Sequence, residues 1–155
     1  MVVTESDLAR AREAAAGVPD PEIPVLTIAD LGILRDVTLA RDGTIEVAIT
    51  PTYSGCPAMS VIAQDVQIAL ARAGFPAARI RTVLSPAWTT DWLTEEARRK
   101  LQDYGIAPPT PREPVACPRC GSSDTERIAE FGSTPCKALW RCRACREPLD
   151  RFKCH

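Results

Sequence analysis

Apolar residues recur along this chain with two periods, and the periods take turns. Across residues 58–73, Val61, Ile62, Val66, Ala69 and Leu70 return at helical spacing, and Gly74 closes the run. Across residues 44–50 the period is two: Ile45, Val47 and Ile49 alternate with Glu46 and Ala48, as in a strand with one buried face. Leu34–Leu39 precedes it, with Arg41-Asp42-Gly43 between them, and Asp-Gly flanked by such runs predicts a hairpin. Residues 80–84 read as a third strand, stopped by Pro86. Two further helices are expected: 6–16, capped by Ser6 and closed by Gly17, and 94–104, capped by Thr94 and closed by Gly105.

Proline divides these elements. Val18-Pro-Asp-Pro-Glu-Ile-Pro24 can be neither helix nor central strand, so it reads as a stiff, extended loop, and Pro51 ends the second strand before a loop over 51–57. Four prolines within 108–114 mark an interdomain linker. The expected organisation is an α+β domain over 1–107 with the order α-β-β-α-β-α, the linker, and a small module over 115–155.

Composition adds boundaries. A chain of 155 residues, 45% hydrophobic and 25% charged, is that of a folded protein of one domain and a satellite. Nineteen basic against twenty acidic residues speak against nucleic acid as a partner. Residues 4–17 are alanine-rich but broken by Glu5, Asp7, Arg10, Arg12 and Glu13, unlike a signal peptide, and no apolar run is long enough for a bilayer. The expectation is a cytoplasmic protein with no membrane partner.

The chemistry lies in seven cysteines. Cys117-Pro-Arg-Cys120 and Cys142-Arg-Ala-Cys145, 21 residues apart, can each supply two thiolates to one tetrahedral metal, with a long hairpin absorbing the gap. Zinc is the first reading; a rubredoxin-like iron site or an iron–sulfur cluster accepts similar ligands. So short a segment would draw much of its folding free energy from the metal. Cys136 and Cys154 read as small buried hydrophobes, with an extra ligand or a metal-transfer thiol as the alternative beside the lone histidine, His155.

Cys56, in Thr50-Pro-Thr-Tyr-Ser-Gly-Cys56-Pro57, leaves a strand and opens a helix, with Pro57 expected as the first helical residue. There the helix dipole and free amides favour its thiolate. Asp20 and Glu22 are the carboxylates expected nearest to it, though Asp-Pro-Glu also suits a solvated turn. Trp88 and Trp92 fit core, lid or interface. With no internal histidine, most acid–base designs are excluded, and an enzyme in its own right is not expected.

Asp20-Pro-Glu-Ile-Pro-Val-Leu-Thr, Asp30-Leu-Gly, Thr50-Pro-Thr-Tyr-Ser-Gly-Cys56-Pro and Pro86-Ala-Trp-Thr-Thr-Asp-Trp92 together resemble the MIP18 (DUF59) family. The tail, with Phe131-Gly-Ser-Thr-Pro-Cys136-Lys and Cys145-Arg-Glu-Pro-Leu-Asp-Arg-Phe-Lys-Cys154, narrows the likeness to the D-component family of phenylacetyl-CoA epoxidase systems. The resemblance implies a MIP18-like domain followed by a zinc ribbon, and an accessory role in maturing iron or iron–sulfur centres. Its implied partners are the oxygenase and iron–sulfur reductase subunits of the epoxidase, and its implied iron or cluster contact is Cys56. One cysteine cannot hold a cluster, so a homodimer, a partner's ligands, or Asp20 and Glu22 would complete the site. The absence of a Gly-x-x-x-x-Gly-Lys-Ser/Thr motif excludes nucleotide-driven transfer by this chain alone. The alternative is a structural or regulatory subunit that does not handle metal.

Overall fold

The computed structural model describes residues 2–53 and 55–154. Contacts divide the chain into two units between Trp92 and Leu93.

The first unit opens with α1 (Glu5–Ala16), whose cap is Thr4 rather than the expected Ser6. Thr4 Oγ1 accepts from the Asp7 amide at 3.2 Å while Asp7 Oδ2 accepts from the Thr4 amide at 2.8 Å. This reciprocal box needs an acid three residues after the cap, which Thr4 has and Ser6 lacks. The Thr4 amide, and then Arg10, hold the Asp7 carboxyl down to about 2. The proline loop is not simply extended. Pro19 bridges Thr27, and a second capping box, Thr27 with Asp30, starts the one-turn helix α2 (Ile28–Leu31). Gly32 ends α2 at φ 76°, where a Cβ would stand 2.8 Å from Trp92 Cβ, so both conformation and space require glycine.

β1 (Leu34–Leu39) and β2 (Ile45–Ile49) form the expected antiparallel hairpin, with Gly43 at φ 84°. α3 (Ala58–Arg72) carries the chain across to β3 (Arg79–Thr82), which lies parallel to β2 in the order β1-β2-β3. β3 ends two residues before its expected limit because β2 stops at Ile49, leaving Leu84 exposed. The central strand buries Ala48 as well as Ile45, Val47 and Ile49, so alternation understated its burial. On α3 the buried stripe is Ala58, Ile62, Val66 and Leu70, the last three as expected, while Val61 faces outward. Burying Ile62, Val66 and Leu70 contributes about 1.5–3 kcal/mol each. Trp88, buried, donates Nε1 to the Leu31 carbonyl at 2.7 Å and thereby joins the core.

The second unit begins with α4 (Glu95–Tyr104), capped by Thr94 through the Ala97 amide and closed by Gly105 at φ 91°. β4 (Ile106–Ala107) follows at once and pairs parallel with β7 (Pro148–Phe152). The four-stranded sheet is completed by β5 (Thr125–Ala129) and β6 (Lys137–Cys142) in the order β4-β7-β6-β5. Residues 93–107, assigned to the first domain on sequence, therefore group with the ribbon. The proline segment 108–114 is tied into the same unit: Arg98 donates to the Pro109 carbonyl at 2.8 Å, and Arg151 engages Glu113 and the Thr110 carbonyl. Ala107, Val115, Cys117, Ala138, Trp140, Cys142 and Leu149 form its core, with Cys145 packed against it.

Candidate functional site

The four cysteines of the tail converge. β5 and β6 make the hairpin that fills the 21-residue gap and deliver Cys142 from the last position of β6. Each Cys-x-x-Cys then turns back on itself. The Gly121 amide donates to the Cys117 carbonyl and the Cys117 amide to the Ser122 carbonyl, both at 2.9 Å; the Cys142 amide donates to the Glu147 carbonyl at 3.0 Å. The residue after each pair is left-handed, Gly121 at φ 78° and Arg146 at φ 65°. All four Sγ atoms lie within 4.8 Å of one another, with Cys117–Cys145 at 3.8 Å and Cys120–Cys142 at 3.5 Å. A tetrahedron with metal–sulfur bonds of about 2.3 Å has edges of about 3.8 Å, so the donor set fits a four-coordinate metal.

The thiols influence one another. The Cys145 amide, with help from Cys120 and the Ala144 amide, pulls the Cys142 thiol down to about 7. Cys145 rises to about 11: the Glu147 amide works against that, but burial and three neighbouring thiols prevail. Cys120 is also raised, with the Ser122 amide opposing Cys142 and burial. Four thiolates this close repel one another unless a cation sits among them, which is the electrostatic condition of a metal centre.

Cys56 has a different setting. It is half-buried, with its amide donating to the Tyr53 carbonyl at 3.2 Å and its carbonyl accepting from the Met59 amide at 3.3 Å. Gly55 precedes it at φ 76°. Pro57 is the cap of α3, not its first helical residue, and makes no side-chain cap bond. Ser54 of the same loop lies outside the described residues. Asp20 is buried at 7% exposure, and its Oδ1 accepts from the amides of Glu22 and Ile23, both at 2.8 Å. It thus braces the proline loop, while Glu22 is half-buried. Among the described residues, the four ribbon cysteines are the one group of three or more His, Cys, Asp or Glu within ligand reach of each other, so Cys56, Asp20 and Glu22 are not gathered as such a trio.

Cys136 is buried, with Sγ 3.0 Å from Thr134 Oγ1. Cys154, expected to be buried, is exposed because it lies beyond the end of β7, and His155 lies outside the described residues. Sequence reasoning missed the buried Lys137, whose Nζ is 3.9 Å from Asp150, and the stacking of Arg35 over Trp92 at 3.9 Å. Neither leaves a local pattern in the sequence. Arg146 was also missed, although its place after Cys-x-x-Cys, matching Gly121, could have flagged it.

Comparison with known proteins separates the same two regions. The family described as iron-sulfur cluster assembly protein matches residues 8–84, which include Cys56, and the PaaD zinc beta ribbon domain matches residues 103–153. The D component of a 1,2-phenylacetyl-CoA epoxidase from Escherichia coli (strain K12) is 52% identical over 145 residues, covering 88% of this chain and 87% of the relative. The chain belongs to this epoxidase D-component family. An Fe-S protein maturation auxiliary factor from Porphyromonas gingivalis is 35% identical over 99 residues, 63% of this chain and 90% of that protein. The crystal structure of a DUF59 domain from Bacillus anthracis matches with a TM-score of 0.55 at 26% identity, covering 63% of this chain and 92% of that one. The family is thus built as an iron–sulfur assembly domain followed by a ribbon. Among the described residues, no helix is long and apolar enough to cross a membrane.

Proposed function

We propose that this protein is an accessory factor of a phenylacetyl-CoA epoxidase system, acting in the cytoplasm to assist maturation of that system's iron or iron–sulfur centres without catalysis of its own. One observation carries the reading: a D-component relative aligns over most of the chain, and the part holding Cys56 matches an iron–sulfur assembly family. In this scheme Cys117, Cys120, Cys142 and Cys145 hold a zinc ion that fixes the fold of the tail. Iron or a cluster is the cargo. Cys56 offers it one thiolate, with Asp20 and Glu22 as candidate oxygen ligands, and remaining ligands come from the client, the oxygenase or the iron–sulfur reductase, or from a second copy of this chain.

The bracing role of Asp20 favours a second reading. A carboxylate that accepts from two loop amides is a structural group first, so Asp20 braces the proline loop before it could bind metal. Were Glu22 structural too, the protein would serve the oxygenase complex by contact alone. Co-expression of the epoxidase components with this protein or its Cys56→Ser variant separates the two. Iron and acid-labile sulfide in each purified client should fall with the variant, and the client that loses them is the one served. Full metal loading with lost activity would instead support the purely structural role.

A further inference from the structure

A cavity of about 330 Å³ beside the second cysteine knuckle is lined by Arg141, Cys142, Arg143 and Arg146. The three arginines are exposed. Two already grip carboxylates: Glu126 takes Arg141 through Oε1 and Arg143 through Oε2, and Asp124 stands 3.5 Å from Arg143. The Arg146 side chain makes no hydrogen bond or ion pair among the described residues. Its backbone is the oddity. At φ 65° it occupies the position that the first knuckle fills with Gly121 at φ 78°, and an L side chain there is strained. The chain keeps a guanidinium where its own geometry suits glycine.

Charge is also unevenly divided. Residues 93–155 carry twelve Lys and Arg against nine Asp and Glu, whereas residues 1–92 carry seven against eleven. We propose that Arg141, Arg143 and Arg146 form a carboxylate socket that docks an extended acidic segment of a partner protein. Arg141 and Arg143 are alternate residues at the end of β6, where the Arg143 amide prolongs the ladder by donating to the Asp124 carbonyl at 2.8 Å. Their Cα atoms are therefore about 7 Å apart, the repeat of alternate side chains in an extended peptide. Glu126 bridging both arginines marks the position that an incoming carboxylate would share, and Arg146 supplies the unspent donors. This adds a docking role to the tail and rests on the proposed function only for naming the partner as another epoxidase component.

The test uses the metal-loaded full chain, titrated with hexaglutamate and separately with inorganic phosphate, while the arginine Nε–Hε resonances are followed by NMR. Hexaglutamate should shift Arg143 and Arg146, and its affinity should drop at least about fivefold between low and moderate salt and on Arg143→Glu. Arg146→Gly should raise the thermal midpoint yet weaken binding, whereas Arg146→Lys should retain most of it. Phosphate binding as tightly as hexaglutamate would overturn the socket in favour of a small-anion site. So would unmoved resonances, or an Arg146→Gly that gains stability with binding unchanged. Loss of bound metal in Arg143→Glu would assign the arginines to the metal centre instead. Because no client is present, failure here leaves the maturation reading standing, and failure of that reading leaves hexaglutamate binding intact.

Discussion

The two cysteine regions are built in opposite ways. In the tail, four thiols arrive from two turns at the base of one hairpin and lie within 4.8 Å of each other, so the chain alone supplies a full tetrahedral shell. In the first unit, Cys56 stands on a short loop before an uncapped helix start, with no second thiol of that unit to join it. A complete shell holds a metal tightly and makes binding part of folding. A single half-buried thiol supplies one ligand and leaves the rest of the shell to sulfide, a second copy or a client, which suits hand-over to another protein. Completeness of the ligand set thus separates a centre that builds structure from one that would act on a cargo.

Removing the ribbon metal should have the largest effect. Structural zinc in small domains is worth on the order of 10 kcal/mol at neutral pH. Chelation or Cys142→Ser should therefore abolish amide protection across β5, β6 and β7 while β1, β2 and β3 keep theirs. Hydrogen exchange reads both regions at once, and equal loss in both would erase the contrast.

Gly32→Ala comes next. Left-handed φ and the Trp92 contact at 2.8 Å together should cost about 2–4 kcal/mol, seen as a lower unfolding midpoint of the first unit with ribbon metal retained. Thr4→Ala removes one half of a capping box and should cost about 1 kcal/mol. The Asp7 carboxyl, depressed from 3.8 to about 2, contributes stability that is complete above about pH 4 and fades as pH falls through 2. Thr4→Ala keeps the Thr4 amide and Arg10, so that acid dependence should survive in it and flatten in Asp7→Asn, which an acid titration of thermal midpoints checks. Smallest of all is Cys56→Ser, expected within about 0.5 kcal/mol of wild type by denaturant unfolding, since a half-buried thiol outside the core carries little packing. A large loss there would make Cys56 a structural residue.

Much of this contrast was legible in the sequence, for local reasons. Asp42-Gly43 fixes its hairpin through one left-handed residue, and paired Cys-x-x-Cys turns leave few alternatives to a shared metal. What escaped depends on partners distant in sequence. β4 is two residues long and exists because β7 lies beside it. Residues 108–114 look like a linker until Arg98 and Arg151 bind their carbonyls. On α3, Ile62, Val66 and Leu70 face the core as their spacing predicts, but Val61 is equally apolar, and only the packed sheet decides that it faces outward. The start of α2 was readable, since Thr27 and Asp30 form a capping box, but three nearby prolines argued more loudly for an open loop.

The most direct measurement loads the zinc-bound protein with ferrous iron and sulfide, then determines bound iron, its sulfur ligation and retained zinc in wild type and in Cys56→Ser. The wild type should hold sulfur-ligated iron, the variant should lose it, and both should keep one zinc. Iron held equally by both proteins, or iron that displaces the ribbon zinc, would contradict a cargo site at Cys56 separate from a structural centre in the tail.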